Sequence, residues 1–102
     1  MAETISMKTG VEYSKGSIVS KQILNKKTGT VTLFAFDKGQ SLSEHTAPFD
    51  AMVQVIEGTA AIIIGNEPYK VTEGELIIMP ANVSHAVKAG VKFKMLLTMI
   101  KG

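Results

Sequence analysis

Cysteine is absent from this 102-residue sequence, and so are tryptophan and arginine. Without cysteine there is no disulfide framework, no thiolate nucleophile, no iron–sulfur cluster and no thiolate-bound zinc. Without arginine there is no guanidinium fork, the group that carries most base and phosphate recognition. The cations are lysines scattered from Lys8 to Lys101, and the formal net charge is only +2. Nucleic acid is therefore not an expected partner. No stretch approaches eighteen apolar residues, and the opening "MAETISMKTGVEYSKG" has no apolar signal region. The expectation is a cytoplasmic protein with no membrane partner. Helical periodicity is scarce as well.

What the sequence does hold is a series of short β-rich runs, each closed by Gly, Asn, Pro or Asp. They are "SIVSKQILN", "TVTLFAFDKG", "AMVQVIEG", "TAAIIIGN", "YKVTEG", "ELIIMP", "HAVKAG" and "VKFKMLLTMI". Eight such runs at spacings of about ten residues predict an all-β sandwich or barrel. The length leaves room for one domain, residues 1–102, with one core. "NKKTGT" and "IGNEPY" read as hairpin turns in which Gly29, Gly65 and Asn66 supply positive φ. In "TVTLFAF" and "KFKMLLTMI" both strand faces carry apolar side chains. Such strands need two burials, one inside the barrel and one outside. A second copy of the chain, a homodimer, is the economical outer partner.

Only two histidines are present, His45 and His85. Each sits in a stretch with fixed spacing. The first runs Gly39, five residues, His45-Thr46-Ala47, three residues, Ala51, six residues, Gly58. The second runs Gly74, five residues, Pro80-Ala81-Asn82, two residues, His85, three residues, Ala89. In these two stretches, 39–58 and 74–89, the sequence resembles the small single-domain cupins. Fifteen residues separate the two stretches, matching the short spacer of bacterial and archaeal members. The resemblance implies a cupin double-stranded β-helix, a jelly-roll barrel, usually paired as a homodimer. It also implies a metal site of three histidines and one carboxylate in the barrel. His45 and His85 stand at the first and last histidine positions. The second histidine position holds Ala47 and the carboxylate position holds Ala51, neither of which can ligate. Asn82 replaces a family glycine and tolerates the same left-handed turn.

Two imidazoles alone hold a divalent ion such as Zn, Ni, Fe or Cu weakly, with water completing the shell. A bulge at "HTAPFD" would be needed to turn Asp50 inward as a third ligand. If Met79 or Met95 faces the histidines, a His/thioether pocket would favour Cu(I), although methionine is also an adaptable core filler. Alternation and motif registration place His45, Ala47, Phe49, Ala51, Val53, Met79, His85 and Met95 around one cavity. The expected function is binding of a small molecule in that cavity, beside a degenerate two-His metal site. The alternative is a metal-dependent cupin enzyme of oxygenase or isomerase type, using His45, His85 and a non-standard third ligand. A metal-free role for either histidine in acid–base catalysis also stays open.

Overall fold

The structure, a computed structural model, describes residues 2–101, which contain nine strands and no helix. They are β1 (Ile18–Lys26), β2 (Gly29–Phe36), β3 (Ser41–His45), β4 (Asp50–Glu57), β5 (Thr59–Ile64), β6 (Glu67–Thr72), β7 (Leu76–Met79), β8 (His85–Lys88) and β9 (Phe93–Ile100). One sheet has the order β1-β2-β9-β4-β7 and the other β3-β8-β5-β6, all pairings antiparallel. This is the expected all-β jelly roll. Among the described residues no helix is long and apolar enough to cross a membrane.

Each of the eight β-rich runs forms a strand. The ninth, β3, was not legible because "SLSEH" carries one aliphatic residue among polar ones. It forms because β8 offers it an edge to pair with.

Period-2 alternation sends Phe36 of β2, Ala51, Val53 and Val55 of β4, and Phe93 and Met95 of β9 into the barrel. There they meet Ala60 and Ile62 of β5, Val71 of β6 and Val87 of β8. Phe36 and Phe93 are cross-strand partners, and their rings stack at 4.6 Å with 12° between planes. Both are fully buried, each contributing about 1.5–3 kcal/mol of transfer free energy.

The chain's own N-terminal segment lies over part of the outer face of the five-stranded sheet. Val11 is buried against Leu33 and Ala35, with Tyr13, Ile56 and Leu96 around them. The Tyr13 hydroxyl donates to Glu57 at 2.6 Å, while the ammonium groups of Lys92 and Lys94 lie 4.8 and 4.9 Å from its ring centroid. Lys94, itself buried, donates to the Lys8 carbonyl. Burial and the Glu57 hydrogen bond push the Tyr13 phenol well above its ordinary range. The same hydrogen bond, followed by the nearby lysines, holds Glu57 below the usual carboxylate value. Beyond this strap, Leu24, Leu76, Ile78 and Ile100 stay exposed.

The turns follow the expected chemistry in part. Gly65 has φ 57° and Asn82 has φ 64°, the left-handed values foreseen for them. Gly29 and Asn66 do not adopt positive φ. Gly29 is instead required by close approach, since a Cβ there would lie 2.7 Å from the Met99 carbonyl oxygen.

Candidate functional site

His45 closes β3 and His85 opens β8, and the two are direct partners across the ladder. Their rings meet edge to face, with centroids 4.3 Å apart and 72° between planes. The two Nε2 atoms are 3.0 Å apart. His45 Nδ1 lies 2.8 Å from the Ser43 carbonyl oxygen and His85 Nδ1 3.3 Å from that of Val83.

A carbonyl oxygen only accepts, so a hydrogen on each Nδ1 satisfies these two contacts and leaves both Nε2 atoms as acceptors 3.0 Å apart. Two acceptors at that distance repel, and a single proton or cation shared by them turns the repulsion into attraction. Burial holds the His85 imidazole below its ordinary value, and the neighbouring charge of His45 adds to the effect. The Val83 carbonyl works in the opposite direction. The pair thus accepts one positive charge more readily than two.

The imidazoles sit at one end of a cavity of about 270 Å³. Its wall contains His45, Ala47, Phe49, Ala51, Met79, His85 and Met95 of the expected set, with Leu42, Val87, Leu97 and Met99 in addition. His85 is buried and His45 lies at the exposed rim. Phe49 is partly covered by Lys101, whose ammonium lies 5.5 Å from the ring centroid. Two roomier grooves of about 430 and 580 Å³ lie elsewhere. They are shallower and contain no imidazole.

Two expected residues are placed otherwise. Val53 is not in the cavity wall; it is fully buried one inward position deeper on β4 than Ala51, packed in the core. Asp50 does not turn inward. β4 begins at Asp50 with Ala51 already facing the barrel, so alternation points the carboxylate away. Its Oδ1 accepts the Ala81 N–H at 2.8 Å and pins the loop before β8, which is tied down again by Asn82 N–H to the Ala47 carbonyl at 2.8 Å. Among the described residues, no three of His, Cys, Asp and Glu cluster as a metal site.

The added residues carried unequal signals. Leu97 and Met99 share the alternating face of Met95 on β9, and Val87 shares that of His85 on β8. Leu42 carried none. It lies three residues before His45, a spacing that reverses faces in a regular strand. A register shift between Leu42 and His45 brings both inward.

A cupin domain profile, Cupin_2, matches residues 32–100. This chain belongs to the cupin family. Among solved cupin-like structures, the conserved SPY1581 protein of unknown function from Streptococcus pyogenes is 35% identical, with a TM-score of 0.94 over 100% of this chain and 90% of that one. A cupin 2 conserved barrel domain protein from Leptotrichia buccalis is 42% identical, with a TM-score of 0.87, over 89% of this chain and 44% of its own. An uncharacterised protein of Streptomyces coelicolor, SCO3923, is 34% identical over 64 residues, 63% of this chain. The match spans 61% of that curated relative's length. A salicylate 1,2-dioxygenase from Pseudoaminobacter salicylatoxidans shares the fold alone, at 17% identity and a TM-score of 0.75. At the cupin positions where a second histidine and a carboxylate would stand, Ala47 and Ala51 are cavity wall.

Proposed function

We propose that this cupin binds a small, mostly apolar molecule in its barrel cavity, with the His45–His85 pair as the polar anchor. The observation that carries the reading is that both imidazoles, with their Nε2 atoms 3.0 Å apart, line a cavity walled otherwise by Ala, Leu, Val, Phe and Met. Its volume of about 270 Å³ exceeds the roughly 150 Å³ at which an engineered apolar cavity takes up benzene. A molecule the size of one substituted ring fits. The alanines widen the cavity and remove the charge that a carboxylate would bring. The imidazoles then meet one polar atom of the ligand, and apolar contacts supply the rest.

The test uses the methyl signals of 13C-methyl-methionine protein during titration with a panel of monocyclic phenols, acids and amides. Binding in the cavity shifts Met79, Met95 and Met99 and leaves Met7 and Met52 unchanged. Ala51→Leu, which fills the cavity, abolishes those shifts. A panel that moves none of the three signals, or moves them equally in Ala51→Leu, contradicts the reading.

A metal-dependent enzyme is the second reading, favoured by the same pair of nitrogens. An ion bound by both imidazoles would act as a Lewis acid toward a ligand in the cavity. The residues present fit such an ion only as two neutral donors. The exposed Leu76, Ile78 and Ile100 of the five-stranded sheet support pairing of two copies across the part of that face that the N-terminal strap leaves open.

A further inference from the structure

The two sheets end in four strand edges, and three of them are protected. β1 carries Lys21 and Lys26 and a bulge between Gln22 and Leu24. β3 is polar and bulged, and β6 contains Glu67, Pro68 and Lys70. Charge, proline and bulges are the devices that keep a strand edge from pairing with another chain. β7, Leu76-Ile77-Ile78-Met79, has none of them, and its ladder with β4 runs without a register shift.

The free side of β7 can be assigned residue by residue. Val55 donates its N–H to the Glu75 carbonyl at 2.9 Å, and hydrogen-bonded positions recur at every second residue of an antiparallel ladder. Ile77, opposite Val53, and Met79, opposite Ala51, therefore use their N–H and C=O groups on β4. Those of Leu76 and Ile78 point the other way, out of the sheet edge. Among the described residues no loop or turn bond reaches them. The side chains of the same two residues are 54% and 48% exposed.

We infer that two copies of this chain join edge to edge through β7, with Ile77 of each on a twofold axis, into one continuous ten-stranded sheet. This deepens the reading that two copies pair, and rests on it, but sets the seam at the edge of the sheet instead of across its face. The register follows from closure. An axis through Ile77 sets Leu76 of one copy opposite Ile78 of the other, twice over. Every free N–H and C=O of the two strands then has a partner. The exposed aliphatic side chains meet in two pairs on the outer face, where opposed residues have Cβ atoms about 4.5–5.5 Å apart. An axis through Ile78 would set Leu76 opposite Pro80, which has no N–H. One through Leu76 would set Ile78 opposite Gly74, whose N–H already bonds Val55. Glu75, the nearest charge in sequence, falls opposite Met79 of the other copy and meets no like charge. Four residues a side make a small seam, and contacts below about 1,200 Å² are weak and transient, so the pairing is reversible.

The test is sedimentation equilibrium of the full chain from micromolar to millimolar concentration. The wild type should show a reversible monomer–dimer equilibrium. Ile78→Pro removes only an N–H that faces the free edge, so the β4 ladder stays whole. It should dimerise at least about tenfold more weakly, because two of the four seam hydrogen bonds are lost. A cooperative urea transition confirms that the variant is folded. Ile100→Glu, on the exposed face two strands from β7, should leave the dimer intact. The chain has no cysteine, so Ile77→Cys introduces a single thiol on the axis. Opposed residues at such a non-hydrogen-bonded site have Cα atoms about 4.5 Å apart, within disulfide range. Under diamide this variant should cross-link into a covalent dimer much faster than Leu24→Cys on β1. A wild type that stays monomeric throughout overturns this inference and the pairing reading together. A dimer that survives Ile78→Pro and dissociates in Ile100→Glu overturns the edge seam and leaves pairing across the face standing. Ile77→Cys cross-linking no faster than Leu24→Cys overturns the seam as well.

Discussion

At one end of the barrel Phe36 and Phe93 stack at 4.6 Å in the same core cluster as Val55 and Ala60, with no exposure of either residue. At the other end the same strands, β4 and β9, present Ala51 and Met99, and the barrel is hollow between them and the histidine pair. The strand order is the same at both ends. The register runs unbroken from Ala51 to Val55 before a bulge between Val55 and Glu57, so the two ends differ in side-chain volume and in that bulge. The closed end fixes the geometry of the sheets. The hollow end uses that rigidity to hold two imidazoles in a contact that isolated strands would not maintain. Val53, buried and midway, is the floor between the two.

Truncation at each end should sharpen this contrast most. Phe36→Ala removes half of the stack from a close-packed site and is expected to cost about 3–5 kcal/mol in urea unfolding. Met99→Ala enlarges a space that is already open and should cost less than about 2 kcal/mol. Equal losses would mean that the two ends are packed alike. Enlargement gives a smaller, opposite contrast. Val53→Phe on the floor should overpack and cost about 1–3 kcal/mol, whereas Ala51→Leu has room to enter and should change stability by less than about 1 kcal/mol. If Ala51→Leu proves the more damaging, the hollow is not there.

Part of the hollow end was legible in the sequence. Alternation and motif registration put Met95 at the cavity, and the spacing around His45 and His85 placed both there, while both faces of β9 read as apolar. Legibility ended where local structure departs from a regular period. β3 is polar and exists through its pairing with β8, and the shift between Leu42 and His45 aligns residues that simple alternation puts on opposite faces. Asp50 went the other way. A bulge was needed to bring it inward, and β4 starts in regular register, so its carboxylate serves the Ala81 amide instead. The outer cover supplied by Val11 and Tyr13 could not be read either, because a strap without strand pattern has no periodicity to reveal what it covers.

The smallest expected effect concerns protons. In the metal-free protein the folded pKa of His85 lies below its unfolded value of about 6.5. The unfolded chain then binds more protons between the two values, so stability falls as pH drops through about 6.5 and levels off below the folded pKa. His85→Gln removes the titrating group and should flatten that part of the stability profile. A Phe93→Leu control at the closed end should leave its slope intact. A slope unchanged in His85→Gln would show that the pair is not the source.

The most direct measurement is a crystal of the protein pressurised with xenon, which occupies apolar space and ignores polar chemistry. The account predicts a xenon site among Ala51, Met79, Met99 and Leu97, beside the imidazoles, and none around Phe36 and Phe93. Xenon absent from the histidine end, with Met79 and Met99 closed over the space, would contradict it.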